Sequence, residues 1–134
     1  MSRLGRGTLT ILTVVGLAAV SAACGPGTSN RLPPPQVPGG QPNRGVTLIE
    51  HYGCGACHTI PGIRGADANV GPPLVGIGDR RYIAGVLVNN ADNMVRWLMD
   101  PPAIVSGVDM PNMGISREDA EDIAAYLYTL RGGG

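Results

Sequence analysis

The run Cys54-Gly55-Ala56-Cys57-His58 decides how the rest of the chain is read. A Cys-x-x-Cys-His string is the attachment signal of a c-type haem: two thiols bond the porphyrin edge and the adjacent imidazole takes the iron. Two intervening residues let a tight turn present both sulfurs to one edge of the macrocycle, and the next residue falls beneath the metal. The alternatives are a redox dithiol and half a zinc site. A thioredoxin-like dithiol needs a βαβ surround that this chain lacks. A structural zinc needs four ligands, commonly from two such pairs. The chain has three cysteines and two histidines, and one cysteine sits far upstream at position 24. One haem c is therefore expected, bonded through Cys54 and Cys57, with His58 on the iron.

Composition agrees with a cofactor in the core. The 134 residues include 21 glycines, 12 prolines and no phenylalanine, so the core is thin for the length, which allows one small domain. A macrocycle would supply the missing apolar volume. All ten basic residues are arginine, balanced by ten carboxylates. Without residues 1–23, and so without Arg3 and Arg6, eight arginines face ten carboxylates, a net of −2 before any haem propionates. Nothing in this balance suggests nucleic acid. The missing lysines also argue against a partner steered by a dense positive ring, so docking should depend weakly on salt.

The first 23 residues read as an export signal. Arg3 and Arg6 precede an apolar run from Leu9 to Ala23 that ends in small residues before Cys24. That run is short for a membrane span, which needs about 20 apolar residues. Val20-Ser21-Ala22-Ala23-Cys24 resembles the bacterial lipobox, whose cysteine is lipidated and becomes the mature N-terminus; Ser21 stands where an aliphatic residue is preferred. Cleavage at an Ala-x-Ala-like site, leaving Cys24 as an unpaired thiol, is the alternative. Lipidation is favoured because it removes that exposed thiol. Residues 24–43 then read as a flexible tether. Prolines at 33, 34, 35, 38 and 42 oppose regular helix or sheet. Its nineteen residues after Cys24 would span about 50–60 Å at most, at roughly 3.1 Å per residue.

The cofactor-binding domain is expected over residues 44–131, with 132–134 as a disordered tail. Val46, Leu48, Ile49 and Tyr52 form an imperfect helical stripe that stops at Gly53, delivering a last turn into Cys54. His51 reads as a surface residue in preference to a ligand, because it precedes the attachment turn on the same side. The glycines and prolines between Thr59 and Leu74 describe a loop with fixed turns. Arg80 and Arg81, with Tyr82, are candidates for a haem propionate or for a solvated turn. Asn90 is a plausible N-cap for a helix over Ala91–Met99 that Pro101 must end, with Met94, Trp97 and Leu98 on one face. Ser116 opens the last helix, with Asp119 three residues on as a capping-box-like pair. There Ala120, Ile123, Ala124, Leu127 and Leu130 share a face. Glu118, Asp119, Glu121 and Asp122 suit the helix dipole at its start.

Taken in order, Cys54-x-x-Cys57-His58, then Gly71-Pro72-Pro73-Leu74, then Met110-Pro111 resemble a class I monohaem cytochrome c. That resemblance implies a small all-α fold, about four short helices and Gly/Pro-rich loops wrapped around one covalent haem. It implies that the Pro72 carbonyl accepts the His58 Nδ1 proton, which is the usual outer-shell control of a ligand's tautomer, and that Leu74 packs on the ring. It places the aromatic Trp97, thirteen residues before Met110, beside the haem, where the family usually has tyrosine. It favours Met110 over Met113 as the sixth ligand. It has the terminal helices cross, with Ala124, Ala125 and Tyr126 or Tyr128 as contact candidates.

Two fixed axial ligands, His58 and Met110, leave the iron no open position, so substrate chemistry is disfavoured. The expected function is a monohaem electron carrier between a donor and an acceptor, possible membrane respiratory complexes among them, by outer-sphere transfer through the exposed haem edge. An electron-entry subunit of a larger complex, such as a haem–copper oxidase, and a haem enzyme or gas-binding protein with a labile sixth ligand are the other readings. The export signal places the domain on the periplasmic or cell-surface side, lipid-anchored through Cys24. Mass spectrometry of the mature N-terminus should show a diacylglyceryl-modified Cys24; an unmodified terminus there would leave plain secretion.

Overall fold

The computed structural model describes residues 33–132. The expected signal over 1–23, Cys24 and the tether as far as residue 32 lie outside the described residues. Helix α1 (Pro42–His51) starts two residues ahead of the expected boundary. Proline is suited to the first helical turn, where its missing N–H would have had no partner and its φ is already helical. After it come a 3-10 turn at Cys54–Ala56, another at Ile77–Asp79, and a short hairpin of β1 (Tyr82–Ile83) and β2 (Leu87–Val88). Helices α2 (Ala91–Met99), α3 (Pro101–Ile104) and α4 (Arg117–Leu127) complete the order.

Helix α2 starts where expected: the Asn90 side chain accepts the Asn93 N–H at 2.9 Å. Pro101 ends it and then occupies the first turn of α3, which Asp100 caps. The hairpin is an addition to the expected all-helical pattern. It turns through Ala84 (φ 49°) and Gly85 (φ 75°), closed by the Val86 N–H on the Ile83 carbonyl at 3.1 Å. Successive positive φ values match the twist of a tight hairpin, and Ala84 is strained in holding one. With two residues per strand, paired Tyr82 to Val88 and Ile83 to Leu87, the molecule stays predominantly helical. Among the described residues no helix is long and apolar enough to cross a membrane.

Helix α4 carries the centre of the core. Ala120, Ile123, Ala124 and Leu127 are buried along one face, as their spacing requires, and meet Ile49, Met94 and Leu98 in one cluster. The crossing with α1 turns on Gly45. A Cβ there would collide with the Asp122 carbonyl oxygen and lie 2.9 Å from the Tyr126 Cβ. Small residues were expected on the α4 side of this contact, but the one the crossing requires is on α1.

A polar brace surrounds the crossing. Asp122 is 2 % exposed, and such a buried carboxylate needs partners. It accepts the Gln41 N–H at 2.7 Å and Arg44 Nη1 at 2.8 Å. Arg44 also reaches Glu118 at 2.6 Å and Asp119 at 2.9 Å. Ser116 caps α4 by accepting the Asp119 N–H at 3.1 Å. The Asp119 carboxylate is turned instead to Arg44 and to the Tyr52 hydroxyl, at 2.8 Å for the latter. The acidic first half of α4 thus serves the helix crossing as well as the dipole.

The edges of the domain also differ from the expected boundaries. The Gly40 N–H donates to the Val37 carbonyl at 3.1 Å, and a Cβ on Gly40 would lie 2.7 Å from the Glu121 carbonyl oxygen. Val37 packs against the core. Part of the proline-rich stretch is therefore laid on α4, because proline opposes the interior of helices and sheets without forbidding packing. At the other end the Gly132 N–H donates to Asp79 Oδ2 at 2.8 Å, beside an Arg131–Asp79 ion pair of 2.5 Å, so residue 132, expected in the tail, is held on the domain.

Gly45→Val should destabilise the domain by about 1–3 kcal/mol through overpacking, read as a lower urea midpoint with an unchanged slope. Burial pushes the Tyr128 phenol upward. The unfolded phenol ionises near pH 10, so Tyr128's contribution is complete below that pH and is lost as pH rises toward the raised folded value. Stability measured by denaturant titration should therefore fall above about pH 10, with a shallower fall in Tyr128→Phe.

Candidate functional site

The attachment turn is built by backbone geometry. Gly53, at φ 68°, breaks the chain out of α1, a conformation that side-chain-bearing residues rarely adopt. The turn then tightens: the Cys57 and His58 amides both donate to the Cys54 carbonyl, at 3.2 and 3.0 Å. This places the two thiols and the imidazole within one turn. Cys54 is half-buried and Cys57 exposed, and both are free of disulfides. Burial raises the pKa of the Cys54 thiol.

The segment from Gly71 to Leu74 passes across His58. His58 Nδ1 lies 2.8 Å from the Pro72 carbonyl oxygen. A carbonyl can only accept, so Nδ1 carries the proton and Nε2 keeps its lone pair for a metal. Gly71 makes room for this approach, since a Cβ there would stand 2.5 Å from the His58 Cε1. The Gly71 amide donates to the Cys57 carbonyl at 2.7 Å and the Leu74 amide to the Thr59 carbonyl at 2.9 Å. Two strands of loop are thereby stitched together around the histidine.

The other candidate residues converge on the same apolar cluster. Trp97 is buried on α2, while Cys54, Leu74 and Met110 are half-buried against the core. Met113 is 43 % exposed, which separates it from Met110. Met99, Ile104, Val105 and Val108 are likewise half-bare. Apolar side chains that pack on a core yet stay partly uncovered leave apolar surface that a flat apolar group could cover. These observations fit a haem: two available thiols, one imidazole with Nε2 free to coordinate, and an apolar lining. Among the described residues no group of three or more His, Cys, Asp or Glu side chains is arranged to hold a metal ion.

Other candidates sit elsewhere. His51 is exposed and stands edge-on to the Tyr52 ring, at 5.1 Å. Arg81 and Tyr82 are exposed at the start of the hairpin. Arg80 donates through Nη2 to the carbonyls of Pro73 and, at 3.1 Å, Val75. Asn89 had no role in the sequence reading. Its Nδ2 donates to the Ile77 and Arg80 carbonyls, both at 2.8 Å, and its Oδ1 accepts the Tyr128 hydroxyl at 2.8 Å. No spacing rule singles out such an asparagine. Gly45 does leave a signal, since a glycine inside a helical pattern often marks a close approach.

Comparison with known proteins agrees with this geometry. Residues 42–131 match the cytochrome c family, and the chain belongs to that family. Its cofactor is one haem c, covalently attached through Cys54 and Cys57. Cytochrome c oxidase subunit 2 of Alkalihalophilus pseudofirmus is 37 % identical over 90 residues, covering 66 % of this chain and 25 % of that protein. The Bacillus subtilis subunit 2 is 33 % identical over 87 residues, covering 63 % of this chain and 24 % of that protein. The match thus spans about a quarter of these relatives' length. The fold is shared with SoxXA from P. pantotrophus (TM-score 0.55, 20 % identity, 69 % of this chain and 82 % of that one). It is shared also with cytochrome c2 from Paracoccus denitrificans (TM-score 0.53, 19 % identity, 69 % and 97 %).

Proposed function

We propose that this monohaem cytochrome carries single electrons between respiratory redox partners, with His58 and Met110 as the axial ligands and no substrate chemistry at the iron. The observation that carries this reading is the 2.8 Å approach of His58 Nδ1 to the Pro72 carbonyl, which presents Nε2 as a ready ligand. The bound haem supplies a one-electron iron couple. The chain's own residues do the rest. Cys54 and Cys57 would hold the ring edge, and Cys57 is exposed, which supports an edge within a partner's reach. Leu74 and Trp97, packed in the same apolar cluster, would cover the ring and exclude water. Met110 offers a soft, neutral sulfur that favours the reduced state, and Pro111 stiffens the loop that presents it.

The lipobox-like Ser21-Ala22-Ala23-Cys24 supports a lipid anchor and a periplasmic or cell-surface location. Anchoring raises the local concentration at membrane partners. The resemblance to oxidase subunits 2, at 37 % identity, supports a second reading in which the domain is the electron-entry part of a haem–copper oxidase. Co-purification with a membrane complex in mild detergent distinguishes that fixed subunit from a free carrier.

Met110→Ala should abolish the methionine-to-ferric-iron charge-transfer band and open the iron to carbon monoxide, while the parent forms no rapid stoichiometric adduct. A band retained in Met110→Ala and lost in Met113→Ala would move the ligand to Met113. Rapid carbon monoxide binding by the parent would sink the six-coordinate carrier.

A further inference from the structure

The segment that orients His58 is poor in donors. Pro72 and Pro73 have no N–H, so between the Gly71 and Leu74 amides the backbone can be held only by its carbonyls. The Pro72 carbonyl takes the His58 Nδ1 proton. The Pro73 carbonyl accepts from Arg80 Nη2, and the Val75 carbonyl accepts from the same nitrogen at 3.1 Å. Arg80 is itself fixed. Asn89 Nδ2 donates to its carbonyl at 2.8 Å, and Asn89 Oδ1 accepts the hydroxyl of Tyr128, a buried residue at the end of α4.

We propose that Arg80 is the positioning residue for the axial histidine: by bridging the Pro73 and Val75 carbonyls it keeps the Pro72 carbonyl on His58 Nδ1. This rests on His58 being the iron ligand. A line of hydrogen bonds then runs from α4 through Tyr128, Asn89 and Arg80 to the carbonyl-only loop, and from Pro72 to the imidazole. The guanidinium suits the task because it is planar, always charged and rich in donors in fixed directions. Its bonds to neutral carbonyls are charge-assisted and stronger than those of a neutral donor. A lysine at the same place keeps the charge without the planar fork. The role differs from that of a propionate partner, for which charge near the ring is what matters.

The test is exchange of the His58 Nδ1–H in the haem-loaded protein, followed by NMR with nitrogen-15-labelled histidine. Arg80→Met and Arg80→Lys should both accelerate this exchange by about tenfold or more, as expected on losing hydrogen bonds to a charged donor. The backbone amides of Ala124 and Leu127 in α4 should keep the parent rate. Arg96→Met, which removes an exposed arginine whose Nη1 contacts Asn93, should leave His58 exchange unchanged. Unchanged exchange in both Arg80 variants would overturn the proposal. So would the parent rate in Arg80→Lys, which would make the effect one of charge, or an equal acceleration of the α4 amides, which would make it general loosening. Absence of haem-shifted His58 ring resonances in the parent would instead fail the ligand assignment, and this proposal with it.

Discussion

Two helices can approach until their backbones nearly touch only where a side chain is missing, and α1 reaches α4 that way at Gly45. The rest of the structure depends on that contact. It brings Arg44 onto the acidic first turns of α4 and buries Asp122 under Gln41 and Arg44. At the far end of α1, Gly53 at φ 68° turns the chain into the attachment turn. A buried carboxylate is a poor source of net stability in itself. Here it commits α1 and the residues before it to one position on α4.

The haem site is a second case of backbone geometry doing what side chains are usually credited with. Glycine at 53 turns the chain, glycine at 71 lets it pass the imidazole, and the Cys54 carbonyl gathers two amides. The prolines at 72 and 73 remove competing donors, so the Pro72 carbonyl has one obvious partner in His58. The weakly donating loop beside His58 takes bonds from outside: Arg80 donates to the Pro73 and Val75 carbonyls, and Asn89 donates to the Arg80 carbonyl.

Part of the charge is used inside the molecule. Residues 33–132 carry seven arginines and ten carboxylates, seven minus ten giving −3. Arg44 is engaged with three carboxylates, Arg131 with Asp79, and Arg117 lies 3.7 Å from Glu121. Paired charges contribute little to a long-range field.

The sequence by itself determined the chemistry: Cys54, Cys57 and His58 specify the cofactor through covalent reach, and the resemblance carried by Gly71-Pro72-Pro73-Leu74 pointed to the Pro72 carbonyl that meets His58. It also determined α2 and α4, because a 3.6-residue apolar period and caps at Asn90 and Ser116 are local properties. The tertiary structure alone decided what depends on residues far apart in the chain. Gly45 against Asp122, Asn89 between Arg80 and Tyr128, and Asp119 drawn from its own cap to Tyr52 are all such pairings. The same holds for Gly40 and Val37, which look like linker until α4 lies beside them. Local patterns encode periodicity and turn chemistry; which surfaces meet is settled only when the chain packs. The five residues from Cys54 to His58 therefore name the cofactor, while the fold decides how firmly its histidine is held.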